Sequence, residues 1–123
     1  MKRTIAKAAI ALSGAALAAA ATLATAGPAN AAWSDCPDGG LCAYLGDDGA
    51  GTPGVVYGDN KDLLQYYKFD NADSIYNNGN SCNVRIYNGR NYTGSSFVLD
   101  NGWMAPNLSS TYKDDVSSNN WCV

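Results

Sequence analysis

The sequence predicts a small all-β sandwich built from two similar halves and stapled by two disulfides. Three observations carry that prediction. Short apolar or aromatic runs are separated by clusters of Gly, Asn, Asp and Ser; several positions recur at a shift of 43 residues; and four cysteines all lie beyond residue 35 of a 123-residue chain.

The N-terminal segment is read first because it fixes how much chain is left to fold. Met1-Lys2-Arg3 and Lys7 give a positively charged start, and residues 8–26 form an alanine-rich apolar run. Gly27-Pro28 breaks any helix, and Ala29-Asn30-Ala31 supplies the small-x-small pattern of a cleavage site. Residues 1–31 therefore read as a bacterial secretory signal peptide, cut after Ala31, rather than as a membrane anchor. The remaining 92 residues, 32–123, make one domain with room for a single modest core. Three of the eight basic residues and none of the eleven acids precede Ala32, which leaves five cations against eleven aspartates, a net charge of −6. An acidic surface with scattered cations repels phosphate backbones and argues against nucleic acid as a partner.

Cys36, Cys42, Cys82 and Cys122 all belong to the exported part, where an even cysteine count reads as disulfides. Three connectivities are open. Cys36–Cys42 with Cys82–Cys122 is favoured, because Cys36-Pro37-Asp38-Gly39-Gly40-Leu41-Cys42 is turn-rich enough to close on itself. A zinc site lacks both a CxxC pair and any histidine.

Candidate strands cover 41–45, 55–57, 84–87, 96–99 and 121–123, and residues 61–69 offer at most a turn or two of helix. Asn88-Gly89 is a hairpin-turn signal. Tyr44, Gly46 and Gly51 recur as Tyr87, Gly89 and Gly94, Val55-Val56 as Val98-Leu99, and Asp73-Ser74 as Ser117-Ser118 one residue further on. Each half is then an aromatic-led hairpin, a second strand and a closing serine turn. Two such units can cover each other's apolar faces, and neither is expected to stand alone.

Tyr87-Asn88-Gly89-Arg90-Asn91-Tyr92-Thr93-Gly94 fits the aromatic-x4-aromatic-x-Gly signature of the βγ-crystallin Greek key. Two aromatics pack across a folded hairpin, and the last glycine takes a conformation closed to other residues. The first half keeps Tyr44 and Gly51 but has Gly49 in place of the second aromatic. Together with Cys36-Pro37-Asp38-Gly39-Gly40-Leu41-Cys42-Ala43-Tyr44, Asp73-Ser74-Ile75-Tyr76-Asn77 and Cys82-Asn83-Val84-Arg85-Ile86-Tyr87, this resembles the Streptomyces metalloproteinase inhibitor family. The resemblance spans essentially the whole exported chain. It implies a βγ-crystallin-like sandwich of two Greek-key motifs, and a secreted, monomeric inhibitor whose partner is an extracellular peptidase, typically a thermolysin-like metalloprotease. Such members present a Cys–Val bond beside a disulfide; here the matching stretch is Cys82-Asn83-Val84, with an asparagine between. The resemblance places the contact loop at Asn77, Asn78, Gly79, Asn80, Ser81, Cys82, Asn83 and Val84, where anchoring by Cys82 limits the entropy lost on binding.

Catalysis has little to work with. Without histidine there is no Ser-His or Cys-His dyad, and Asp47-Asp48 and Asp114-Asp115 read as turn residues that bond locally. Microbial crystallins often hold calcium through Asn/Asp-Asn/Asp-x-x-Ser/Thr-Ser. The equivalent segments here begin with Phe69 and Lys113 instead of an acceptor, so no cofactor is expected, and Asp70, Ser74, Asp114 and Ser118 remain as weak calcium candidates. Tyr66, Tyr67 and Trp103 are the aromatics available to a glycan or cell-wall polymer. A calcium-binding crystallin module and a glycan-binding protein are thus the alternatives to an inhibitor. With a bacterial leader, the sequons at Asn91 and Asn107 carry no weight.

Overall fold

A computed structural model describes residues 32–123; the expected signal peptide lies outside the described residues. Seven strands run β1 (Gly40–Tyr44), β2 (Gly54–Val56), β3 (Ser74–Asn78), β4 (Val84–Gly89), β5 (Thr93–Leu99), β6 (Met104–Ala105) and β7 (Ser118–Trp121). The short helix α1 (Tyr67–Asp70) and 3-10 turns at Ala32–Asp35 and Asp47–Gly49 complete the described elements. The strands form two antiparallel sheets, ordered β2-β1-β3-β6 and β5-β4-β7.

The repeat is visible in the strand registers. Leu41 pairs with Val56 in the first half and Val84 with Leu99 in the second. Tyr44 pairs with Ser74, and Tyr87 with Ser118. Each half also lends a segment to the other sheet: β6, from the second half, pairs with β3, while Asn60, from the first half, bridges to Asn119 of β7. Between the sheets Leu41, Ala43, Leu63, Phe69, Ile75, Val84, Ile86, Leu108 and Val116 form a core closed to solvent. β1 is buried on its outer face too, where Cys42, Tyr44 and Cys36 pack with Trp33, Val55 and Tyr76. That double burial explains its unbroken apolar reading.

Both disulfides form with the expected pairing, Cys36–Cys42 and Cys82–Cys122. Several sequence expectations need correction. Residues 74–78 form a full strand where the sequence suggests only a serine turn and the start of a loop; Asn77 sits inside it because its amide satisfies buried carbonyls. The last strand covers Ser118–Trp121 rather than 121–123, since Cys122 turns away with φ of 62°. The hairpin turn falls at residues 90–92 rather than Asn88-Gly89, with Asn91 and Tyr92 at φ of 59° and 61°. Gly89 is needed instead for close approach, because a Cβ there would lie 2.5 Å from the Thr93 hydroxyl.

The folded hairpins show how the two motifs hold their shape. Gly51 and Gly94 both have positive φ, at 93° and 81°, a region that costs glycine little. Ser74 donates to the Gly46 carbonyl (2.7 Å) and accepts from the Gly49 N–H (3.0 Å). Ser118 repeats this, donating to the Gly89 carbonyl (2.6 Å) and accepting from the Tyr92 N–H (3.0 Å). In the second half Tyr87 and Tyr92 pack with ring centroids 5.7 Å apart. In the first half, where Gly49 lacks a ring, Trp33 supplies one. Its indole meets Tyr44 edge-on at 5.0 Å and lies so close over Gly49 that a Cβ would approach it to 2.5 Å.

Candidate functional site

The expected contact segment divides sharply in the structure. Asn77 and Val84 are fully buried, one in β3 and the other at the start of β4. Asn78, Gly79, Cys82 and Asn83 are half-buried, and only Asn80 and Ser81 are exposed. Val84 pairs with Leu99 on one side and Trp121 on the other, so its side chain belongs to the core. The surface that this segment presents is the tip, Asn80-Ser81.

The tip is held from beneath by two amide side chains. Asn77 Nδ2 donates to the Cys82 carbonyl (3.1 Å) and the Leu99 carbonyl (3.0 Å), and its Oδ1 accepts from the Gly79 N–H (2.8 Å). Asn101 Nδ2 donates to the Gly79 carbonyl (2.7 Å) and more weakly to the Cys82 carbonyl (3.4 Å). The Asn101 N–H donates to Asn83 Oδ1 (3.0 Å), and the Cys122 N–H to the Asn83 carbonyl (2.8 Å). The Cys82–Cys122 disulfide adds a covalent anchor one residue beyond Ser81. Hydrogen bonds on both sides of a two-residue tip leave it little freedom to lose on binding.

Neighbouring segments extend the site. The turn closed by Cys36–Cys42 reaches the loop through the Gly39 N–H, which donates to the Asn78 carbonyl (2.7 Å), and through Asn78 Nδ2, which donates to the Cys36 carbonyl (2.8 Å). Beside the tip lies an open cleft of about 430 Å³, lined by Gly39, Gly58, Asp59, Ser81 and Trp121 among others. Trp121 is fixed in it by a bond from its indole N–H to the Gly58 carbonyl (2.9 Å) and from its backbone N–H to Asp59 Oδ1 (2.8 Å). Its ring also explains Gly79: a Cβ there would come within 2.5 Å of it. Sequence reasoning missed Asn101, Asp59 and Trp121, whose clamping roles have no local signal.

The weak calcium candidates are not brought together as a carboxylate cluster; among the described residues no group of three or more His, Cys, Asp or Glu is placed to hold a metal. Ser74 and Ser118 are buried and commit their hydroxyls to the folded hairpins, while Asp70 and Asp114 are exposed. Lys113, which stands where the calcium signature asks for an acceptor, puts its ammonium 3.6 Å from Asp47 Oδ1 and 3.1 Å from Asn107 Oδ1. The aspartate pairs serve turns: Asp48 and Asp114 adopt positive φ, and Asp115 accepts from the Ser117 hydroxyl (2.8 Å). Tyr66 and Tyr67 lie at α1 and Trp103 on the turn before β6, with no ring contact joining them.

Two stacked Greek keys, each clasped by a serine and closed by an aromatic corner, define a βγ-crystallin-like domain, and comparison with solved structures agrees. A structure bearing on the evolution of the eye lens βγ-crystallin domain fold is similar with a TM-score of 0.62 at 19% identity, over 70% of this chain and 88% of that one. A βγ-crystallin from Ciona intestinalis gives 0.55 at 19%, over 67% and 98%. A βγ-crystallin domain from Clostridium beijerinckii gives 0.53 at 19%, over 68% and 97%. No curated protein matches the sequence. The model of Peptidase inhibitor family I36 matches residues 29–99, more than half of the chain. The chain belongs to that family: it is a peptidase inhibitor, with a peptidase as its partner, and not an enzyme.

Proposed function

We propose that the protein is exported, acts as a monomer and inhibits a thermolysin-like metalloprotease by placing the Asn80-Ser81 tip in the active-site cleft. The observation that supports this reading is the bracing of the tip, by Asn77 and Asn101 amides on either side and by Cys82–Cys122. A peptidase binds an extended peptide, and a loop already ordered avoids most of the entropy an ordinary substrate loses on docking. Small, uncharged residues at the tip suit a narrow cleft, and Asp59, which lines the cleft beside the tip, suits an enzyme with a positively charged rim or metal centre.

Residues 32–123 are expected to slow a thermolysin-like enzyme at near-stoichiometric concentration, within a panel that also holds serine and cysteine peptidases. Inhibition confined to another class would reject the metalloprotease assignment, and replacement of Asn80 and Ser81 by lysine without effect would reject the loop.

A further inference from the structure

We propose that Trp103 is a second anchor for the same peptidase, outside the loop; this rests on the inhibitor reading. The three tryptophans are employed differently. Trp33 stacks on Tyr44 and Tyr76, and Trp121 hydrogen-bonds to Gly58 and Asp59. Trp103 has neither a ring contact nor an indole hydrogen bond among the described residues, and 66% of it is exposed. Most of this indole stands in water, and tryptophan is among the residues that most often carry binding energy at interfaces.

Its backbone, by contrast, is held firmly and is part of the loop's own scaffold. The Asn77 N–H donates to the Trp103 carbonyl (3.0 Å), the Trp103 N–H to the Asp100 carbonyl (3.0 Å), and the Gly102 N–H to the Asn77 carbonyl (2.9 Å). Two residues earlier, Asn101 clamps Gly79 and Cys82. Asn77 therefore joins the turn of Trp103 to the contact loop through two bonds on its backbone and two on its side chain. Gly102, at φ of 81°, makes the sharp turn possible. A partner seated on Asn80-Ser81 meets this turn as the adjoining surface, with Met104, 37% exposed, next to it on β6. An aromatic on a rigid turn continuous with the contact loop is a pre-ordered anchor, and burying it against the enzyme removes apolar area from water at little entropic cost.

The test measures inhibition of the peptidase that the wild-type protein blocks. Trp103→Ala is expected to weaken inhibition by about tenfold or more, and Trp103→Phe by less. Tyr67→Ala, a change at a residue 69% exposed on α1, is expected to leave it unchanged. Oxidative footprinting should show Trp103 protected in the complex. Equal inhibition by wild type and Trp103→Ala, or full reactivity of Trp103 in the complex, overturns the second anchor while leaving the inhibitor reading intact. So does a Trp103→Ala variant that loses binding to chitin, cellulose or peptidoglycan but inhibits normally, which would make the residue a glycan platform. A wild-type protein that inhibits nothing overturns both readings together.

Discussion

At the scale of single residues, the two halves show how one structural need is met by different side chains. The second hairpin closes with Tyr92 on Tyr87; the first closes with Trp33, brought from outside the repeat onto Tyr44 and Gly49. Replacing Trp33 by alanine removes two edge-on ring contacts and part of the outer core, and is expected to cost about 2–3 kcal/mol. Gly49→Ala is expected to destabilise for two reasons, its φ of 70° and the 2.5 Å approach to the indole. The second reason disappears once Trp33 is alanine. Urea unfolding of the two single variants and the double variant should therefore show a double-variant cost clearly smaller than the sum; strict additivity would mean that the indole does not fill the corner. This corner also marks the limit of sequence reading. The 43-residue shift shows that Gly49 breaks the pattern, but nothing local in Trp33 says that it repairs it.

At the scale of elements, the loop of residues 79–83 depends on its clamps more than on its own sequence. Asn101→Ala frees the Gly79 carbonyl and leaves the Cys82 carbonyl to Asn77 alone, both at the half-buried margin of the loop. Lost stability of about 1 kcal/mol is expected, with inhibition weakened by about tenfold because the tip must then be ordered on binding. Unchanged inhibition would show that the tip is braced without it. The two disulfides should separate in the same way. Cys82–Cys122 spans 40 residues and Cys36–Cys42 only 6, so on the loop-entropy scale the first is worth about 4 kcal/mol and the second about 2. Paired alanine substitutions are expected to lower the melting temperature in that order, and only loss of Cys82–Cys122 should release the tip and most of the inhibition. Cys82 and the resemblance around it locate the loop in the sequence. They do not give its true edges, because whether Asn77 or Val84 belongs to loop or strand depends on Leu99 and Trp121, carbonyl and pairing partners far along the chain.

At the scale of the whole molecule, the fold was legible because its two halves repeat: matched apolar positions at one shift imply matched strands, and matched strands imply stacked sheets. The exchange of β6 and the Asn60 bridge was not legible, since these contacts involve almost no sequence of their own. Lys113, held between Asp47 and Asn107, leads us to expect a melting temperature unchanged by millimolar calcium; a rise of several degrees would show that the degenerate motifs still bind the ion.

A final expectation concerns alkaline pH and ties the first Greek key to the stability of the entire domain. The phenol of Tyr44, buried under Trp33, is pushed up from 10.0 to about 12, chiefly by burial and then by the negative charge of Asp35 and by Tyr76. In the unfolded chain the same phenol loses its proton near its ordinary value, so above that point the unfolded state binds fewer protons than the folded one. Stability contributed by the neutral phenol is complete below about pH 10 and is lost as the pH rises toward 12. Urea midpoints measured from about pH 9 to about pH 12 should fall for the wild type and fall less steeply for Tyr44→Phe, which has no proton to lose. Parallel slopes would mean that Tyr44 does not carry the alkaline loss of stability and that the first aromatic corner is open to water.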